Sequence, residues 1–179
     1  KGSTMEGGMR VPMIVRWPGR IPADSTCREL GTMMDLLPTL CALTGASLPP
    51  QKLDGFDISG MLFGKEDANS QYEALYYYRR RQLQAVRYGD WKYHLPLNAT
   101  HPNWTTAKQA GPGRSGKLVN LKSDLQEKID VSAMNPEVIK RMEVHWKHAV
   151  LALGNDETLG SEQRDARTLS SSKPMTLKK

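Results

Sequence analysis

Three short runs between residues 74 and 95 constrain the fold more than anything else in this chain. Ala74 to Arg79, Gln82 to Tyr88 and Trp91 to Leu95 are rich in aromatic and β-branched residues, and only two residues separate each run from the next. Such composition suits a pleated surface, and Tyr88-Gly89-Asp90-Trp91 supplies a tight turn between the second and third runs. Connections this short leave room only for an antiparallel meander. A sheet of this size needs a cover. Asn135-Pro136-Glu137 is a strong helix start, and Val138, Met142, Trp146, Ala149 and Leu153 then form one stripe that Gly154 stops. That helix is expected to cover one face of the meander. From residue 154 to 179 the chain is polar, passing through Ser170-Ser171-Ser172-Lys173-Pro174, and is expected to remain an unfolded tail.

The first half reads differently. Gly7 and Gly8 lie between Glu6 and Arg10, a pattern for a loop whose backbone approaches a ligand or another strand closely. Val11 to Val15 is an apolar run broken by Pro12, which fits a strand covered on both faces, and Trp17-Pro18-Gly19 with Ile21-Pro22 ends it. Met33 to Ala46 has leucines at 36, 37, 40 and 43, the spacing of one helical face. Asp35 is placed to cap that helix, Pro38 to sit in its first turn and Gly45 to end it, with the leucines in a core. In the following segment Phe56, Ile58 and Leu62 are expected to point inward, and residues 64 to 71 to form a solvated linker. Residues 96 to 116 show no periodicity and read as one long loop of the kind that often binds ligands.

With 179 residues there is room for one domain, or for a small domain plus a piece of another. The net charge of +6 would attract nucleic-acid phosphates and sulfated substrates alike. Its basic residues are dispersed apart from Arg79-Arg80-Arg81 and Lys178-Lys179, so no nucleic-acid stripe is present and no nucleic-acid partner is expected. No apolar run is long enough to span a bilayer, and no membrane association is expected. Cys27 and Cys41 lack the spacing of a metal or redox pair. His145 and His148 could meet a metal on one helix face, but no nearby carboxylate or cysteine completes a ligand set.

The opening block Lys1-Gly-Ser-Thr-Met-Glu-Gly-Gly-Met-Arg10, continuing through Val11-Pro-Met-Ile-Val-Arg-Trp-Pro-Gly-Arg-Ile-Pro22, resembles the block of formylglycine-dependent sulfatases that carries a sulfate-binding lysine. Asp35-Leu-Leu-Pro-Thr-Leu40 and Asp54-Gly-Phe-Asp-Ile-Ser59 are similar to segments that follow it in that family. The meander, with Tyr76-Tyr-Tyr-Arg79, Ala85-Val-Arg87 and Gly89-Asp-Trp-Lys-Tyr-His94, resembles the small C-terminal sheet of the group around arylsulfatase A and N-acetylgalactosamine-6-sulfatase. Lys117-Leu-Val-Asn-Leu121 resembles the family's next strand. Asp124-Leu-Gln-Glu127 departs from the usual Asp-Pro-x-Glu turn by lacking the proline.

The resemblance implies the C-terminal part of an α/β, alkaline-phosphatase-like sulfatase fold. Residues 1–64 would complete the large α/β domain, 65–153 would form the small antiparallel sheet with its helix, and 154–179 the tail. It implies hydrolysis of aryl or carbohydrate sulfate monoesters to alcohol and inorganic sulfate, and a periplasmic, secreted or lysosomal site of action. Lys1 is the catalytic residue carried over, contacting the sulfate and its bridging oxygen. His101, His94 and Arg79 are candidates for binding a sulfated small molecule or sulfated glycan, while Glu6 and Arg10 read as buried structural partners. The calcium ion and the formylglycine are implied to belong to an N-terminal portion of the same polypeptide preceding Lys1, so the chain by itself is expected to be inactive. Two rivals accompany this reading: a phosphodiesterase or phosphonate hydrolase of the same superfamily, and a noncatalytic basic module that binds sulfated glycan or nucleic acid.

Overall fold

A computed structural model describes residues 2–100, 111–156 and 158–164. Four antiparallel strands, β1 (Leu75–Arg79), β2 (Gln82–Tyr88), β3 (Trp91–His94) and β6 (Lys117–Asn120), lie side by side in that order as its central sheet. The meander is as read from sequence, with the β2–β3 turn closed by Gly89 at a φ of 57°. The β1–β2 turn is made by Arg80-Arg81, and Arg80 takes a φ of 55°, which side chains other than glycine, Asn and Asp seldom adopt.

One irregularity decides which residues face which way. Tyr77 pairs with Ala85 and Tyr78 with Leu83, so Gln84 is an extra residue in β2, a bulge. It breaks the two-residue alternation and lets both Leu83 and Val86 join the apolar core while Gln84 turns to the other face. The core, on the first face, is Leu83, Val86 and Leu118 packed against Val138, Met142 and Ala149 of helix α4 (Pro136–Leu153). Tyr93 stacks on Trp146 at 5.3 Å between ring centres. Tyr78 donates its hydroxyl to the carbonyl of Gly154 at 2.8 Å, and burial pushes its pKa up to about 12. The predicted stripe drifts at its end: Leu153 is exposed and Ala152 takes the buried position. Asn135 precedes the helix but does not cap it; its amide donates instead to the Val131 carbonyl at 3.0 Å.

The long loop expected over residues 96–116 contains a second ribbon, β4 (Leu97–Thr100) paired with β5 (Gly111–Arg114). Sequence offers little sign of it, because Gly-Pro-Gly-Arg has poor strand propensity and the ribbon is held by backbone pairing. Beyond α4 the chain also departs from the expected tail. β7 (Gly154–Asn155) and β8 (Thr158–Leu159) form a small hairpin, and the amides of Ser161 and Glu162 return to the carbonyls of Leu151 and Ala152. Polar composition did not prevent order here because the last helical carbonyls need donors. Residues 165–179 lie outside the described residues.

The first half holds α1 (Glu6–Met9), a 3-10 turn (Met33–Asp35) leading into α2 (Leu36–Thr44), and α3 (Ser59–Leu62). Thr32, not Asp35, is the N-cap: its hydroxyl accepts from Met34, and Asp35 closes a capping box by accepting from the Thr32 amide at 2.6 Å. Asp35 is fully buried because it also accepts from the Phe56 amide at 2.8 Å and the Tyr72 hydroxyl at 2.5 Å. Gly45 ends α2 in the left-handed region, as read. The leucine face of α2 does not enter a core within the described residues. Leu37 and Leu40 are exposed, whereas Pro38, Thr39 and Cys41 are buried. Val11 to Val15 likewise forms no strand, and Ile14 is 94% exposed. A strand exists only as a pair, and no described segment lies alongside this one.

Candidate functional site

The second face of the sheet carries charge. Two-residue alternation in β3 sends Trp91 and Tyr93 toward α4 and Lys92 and His94 the other way, with Tyr77 beside them on β1. Lys92 is fully buried there, an unusual position for a lysine unless it is paired. Its Nζ lies 2.8 Å from Glu6 Oε1 and 3.0 Å from Glu127 Oε1, and 4.1 Å from the centre of the Tyr77 ring. One ammonium therefore bridges two carboxylates 121 residues apart in the chain.

Each carboxylate has further partners. Glu127 Oε1 accepts from His94 Nε2 at 2.7 Å, and its Oε2 accepts from the Glu6 backbone amide at 2.5 Å. Glu6 Oε1 also accepts from the Tyr77 hydroxyl at 3.3 Å. Lys117 donates to the Glu127 carbonyl, so the residue is held by both side chain and main chain. Glu127 adopts a φ of 56°, a costly conformation for a glutamate that these contacts compensate. Thr4 completes the docking of the N-terminal loop by donating to Gln84 Oε1 at 3.1 Å. Gln84 in turn donates to Gln82 Oε1 at 2.7 Å, and Arg114 of β5 donates to the bulge carbonyl of Gln84. The bulge thus presents an amide side chain to the loop.

Burial and charge set the protonation states. Burial pushes the Glu127 carboxyl up, but the His94 and Glu6 hydrogen bonds and the Lys92 charge outweigh it and hold the pKa at about 2. Glu127 is therefore ionised near neutrality and can only accept, so His94 must carry its proton on Nε2. Burial first, and then the charges of Lys92 and Arg114, lower the His94 pKa against the opposing pull of Glu127. The neutral imidazole leaves Nδ1 as a buried acceptor without a partner among the described residues. Burial and the Glu6 charge push the Tyr77 hydroxyl far up, so it stays a donor. The cluster is suited to holding a loop in place. Its groups are buried and hydrogen-bonded to one another among the described residues.

The candidates from sequence are spread unevenly. Lys1 and His101 lie outside the described residues. His94 is inside the cluster, bonded to Glu127, rather than on a substrate-facing surface. Arg79 is half-buried at the end of β1, paired across to Gln82, while Arg80 and Arg81 are exposed at the turn. Glu6 is buried as expected, but Arg10 is exposed because α1 ends there and the chain leaves the sheet. Sequence reasoning passes over Lys92, Glu127, Tyr77, Gln84 and Thr4. A signal for Lys92 does exist: a lysine and a histidine two apart, within a strand of aromatics, share one face that must be satisfied from elsewhere.

Comparison with known proteins adds a second line of observation. A family model described as N-sulphoglucosamine sulphohydrolase, C-terminal, matches residues 1–92. Human arylsulfatase A (Homo sapiens) is 37% identical over 158 residues, 79% of this chain and 31% of that protein. The N-acetylgalactosamine-6-sulfatase of Canis lupus familiaris is 40% identical over 96 residues, 53% of this chain and 18% of that protein. A solved structure from Bacteroides thetaiotaomicron, described under the metabolism of multiple glycosaminoglycans, superposes with a TM-score of 0.63 at 30% identity, covering 79% of this chain and 29% of that one. The chain spans less than a third of the length of each of these proteins.

Proposed function

The chain belongs to the sulfatase family, and on that premise we propose that it is the C-terminal portion of an enzyme that hydrolyses aryl or carbohydrate sulfate monoesters to alcohol and inorganic sulfate. The observation that carries the reading is the anchoring of the opening block. Glu6, in the segment that begins with Lys1, is fastened by side chain and backbone to Lys92 and Glu127 of the small-sheet region. A family match through residue 92 spans both sides of that contact up to Lys92 itself.

Sulfate ester hydrolysis places growing charge on the departing oxygen, and an ammonium held beside that oxygen stabilises it. Lys1 is the residue proposed for this role, with His101 and Arg79 proposed to contact the sulfated small molecule or glycan. Calcium, when bound, would neutralise sulfate oxygens, and a formylglycine hydrate would supply the attacking oxygen. Among the described residues no three His, Cys, Asp or Glu side chains are placed to hold a metal, and neither Cys27 nor Cys41 lies in a Cys/Ser-x-Pro-x-Arg motif. These residues do not fit either group, and both are assigned to the N-terminal portion of the same polypeptide. The chain alone is accordingly expected to be inactive. No described helix is long and apolar enough to cross a membrane, and a periplasmic, secreted or lysosomal site of action is proposed on family grounds.

The test is Lys1→Ala in the complete enzyme, assayed with 4-nitrophenyl sulfate beside the matching phosphodiester. A fall in kcat/KM on the order of 100-fold or more on the sulfate is expected. Undiminished kcat/KM would remove Lys1 from the mechanism, and preference for the phosphodiester would move the enzyme to the rival class.

A further inference from the structure

We propose that Glu6, Lys92 and Glu127 form a positioning unit for the reaction, fixing at one place on the small sheet residues 2–8, the segment that follows in sequence the lysine proposed to meet the ester. The inference rests on the sulfatase reading given above.

Three contacts hold the loop through three different groups. The Glu6 carboxylate meets Lys92, the Glu6 amide meets Glu127 at 2.5 Å, and the Thr4 hydroxyl meets Gln84 at 3.1 Å. Any sliding or rotation of the segment breaks at least one of them. The loop is also closed on itself: a methyl group at Gly8 would overlap the backbone carbonyl of Ser3. Glu6 is five residues from Lys1, a reach of at most about 17 Å, and Thr4 is nearer still. Thr4 and Glu6 are the described anchors next in sequence to that lysine.

Stability alone does not explain why ions do this work. Two carboxylates and an ammonium are all but completely buried here, and apolar residues of similar volume commonly serve as well or better for stability. The same sheet shows that alternative on its other face, where Leu83, Val86 and Leu118 pack against α4. Apolar packing tolerates small displacements, whereas charge-assisted hydrogen bonds set distance and direction. Misplacement of a reacting group by about 1 Å can lower a rate on the order of 100-fold. Directional anchoring is what such a group requires.

The experiment uses the complete enzyme with 4-nitrophenyl sulfate as substrate and inorganic sulfate as a competitive probe. Glu6→Gln keeps the shape and removes the charge; Thr4→Val removes one hydroxyl at the loop's outer anchor. Val138→Ala, on the helix side of the sheet, is the control for lost stability. Glu6→Gln is expected to lower kcat about 10-fold or more and to raise the sulfate inhibition constant in step, with faster hydrogen exchange over residues 2–9. Thr4→Val is expected to do the same several-fold, and it carries the test should Glu6→Gln fail to fold. Val138→Ala should lower the melting temperature and leave kcat and the inhibition constant of the folded enzyme unchanged. Melting temperatures that fall in the loop variants, with kcat and the inhibition constant at wild-type values, would reduce the cluster to a stabilising element and overturn the proposal. A wild-type enzyme that turned over no sulfate monoester would overturn the family-based reading first, and this one with it.

Discussion

Lys92 Nζ lies 2.8 Å from Glu6 Oε1 across 86 residues of sequence, with the lysine side chain fully buried and the glutamate nearly so. The pair joins the opening segment of the chain to the middle of the meander, and Glu127 closes it from a third segment. Buried ions are strongly committed once formed. Removing one partner leaves the other as an uncompensated charge in a place water does not reach.

Lys92→Met is accordingly expected to destabilise the fold by about 3–5 kcal/mol, since it abandons Glu6 and Glu127 together. Urea denaturation followed by tryptophan fluorescence would measure it. A midpoint within error of the wild type would show that the two carboxylates find other partners or take up protons at little cost.

Stability should fall on acidification, in two stages with the same sign. The folded-state pKa of His94 is lowered from 6.5, so as pH drops below about 6.5 the unfolded chain takes up a proton before the folded one does, and the folded state loses ground. Protonation in place would moreover create a buried Nδ1–H with no acceptor among the described residues. Glu127, held at about 2 against an ordinary 4.5, contributes stability that is present above pH 4.5 and is lost as pH falls through about 2. Urea midpoints at pH 7.5, 5.5, 4.0 and 2.5 would trace the decline. His94→Gln, which keeps a donor for Glu127 but does not titrate, should flatten the upper stage and spare the lower. A variant with the same profile as the wild type would clear His94 of the effect.

Gly8 tests the loop's shape. Its φ is ordinary, so the residue is needed for space: a Cβ would meet the Ser3 carbonyl and hydroxyl. Gly8→Ala is expected to cost about 1–3 kcal/mol and to expose the Thr4 and Glu6 amides to hydrogen exchange. Exchange rates matching the wild type would mean that the segment relaxes around the methyl group without leaving Gln84 and Glu127.

Much of the architecture is legible in the order of residues. The strands at 75–79, 82–88 and 91–94 follow from aromatic composition and two-residue turns, and α4 from its apolar stripe and terminal Gly154, because these signals are local and each element satisfies its own backbone. The failures are equally instructive. Val11 to Val15 and the leucines at 37 and 40 of α2 have the composition of buried segments, yet in the described residues they face outward, because burial needs a partner surface and composition does not name one. The ribbon of β4 and β5 and the hairpin after α4 arise from backbone groups seeking partners in space, with no pattern in the side chains to announce them.

What the linear order of residues determined, then, was the meander, its covering helix and the kinship of the opening block. What only the tertiary structure decided was that Gln84 bulges from β2, that Lys92 and His94 lie on the face of Tyr77, and that Glu6 and Glu127 arrive there from 86 and 35 residues away. The physical reason is that periodicity reports a residue's neighbours along one element, whereas the state of a buried charge is set by whichever groups the packed chain brings within hydrogen-bonding distance.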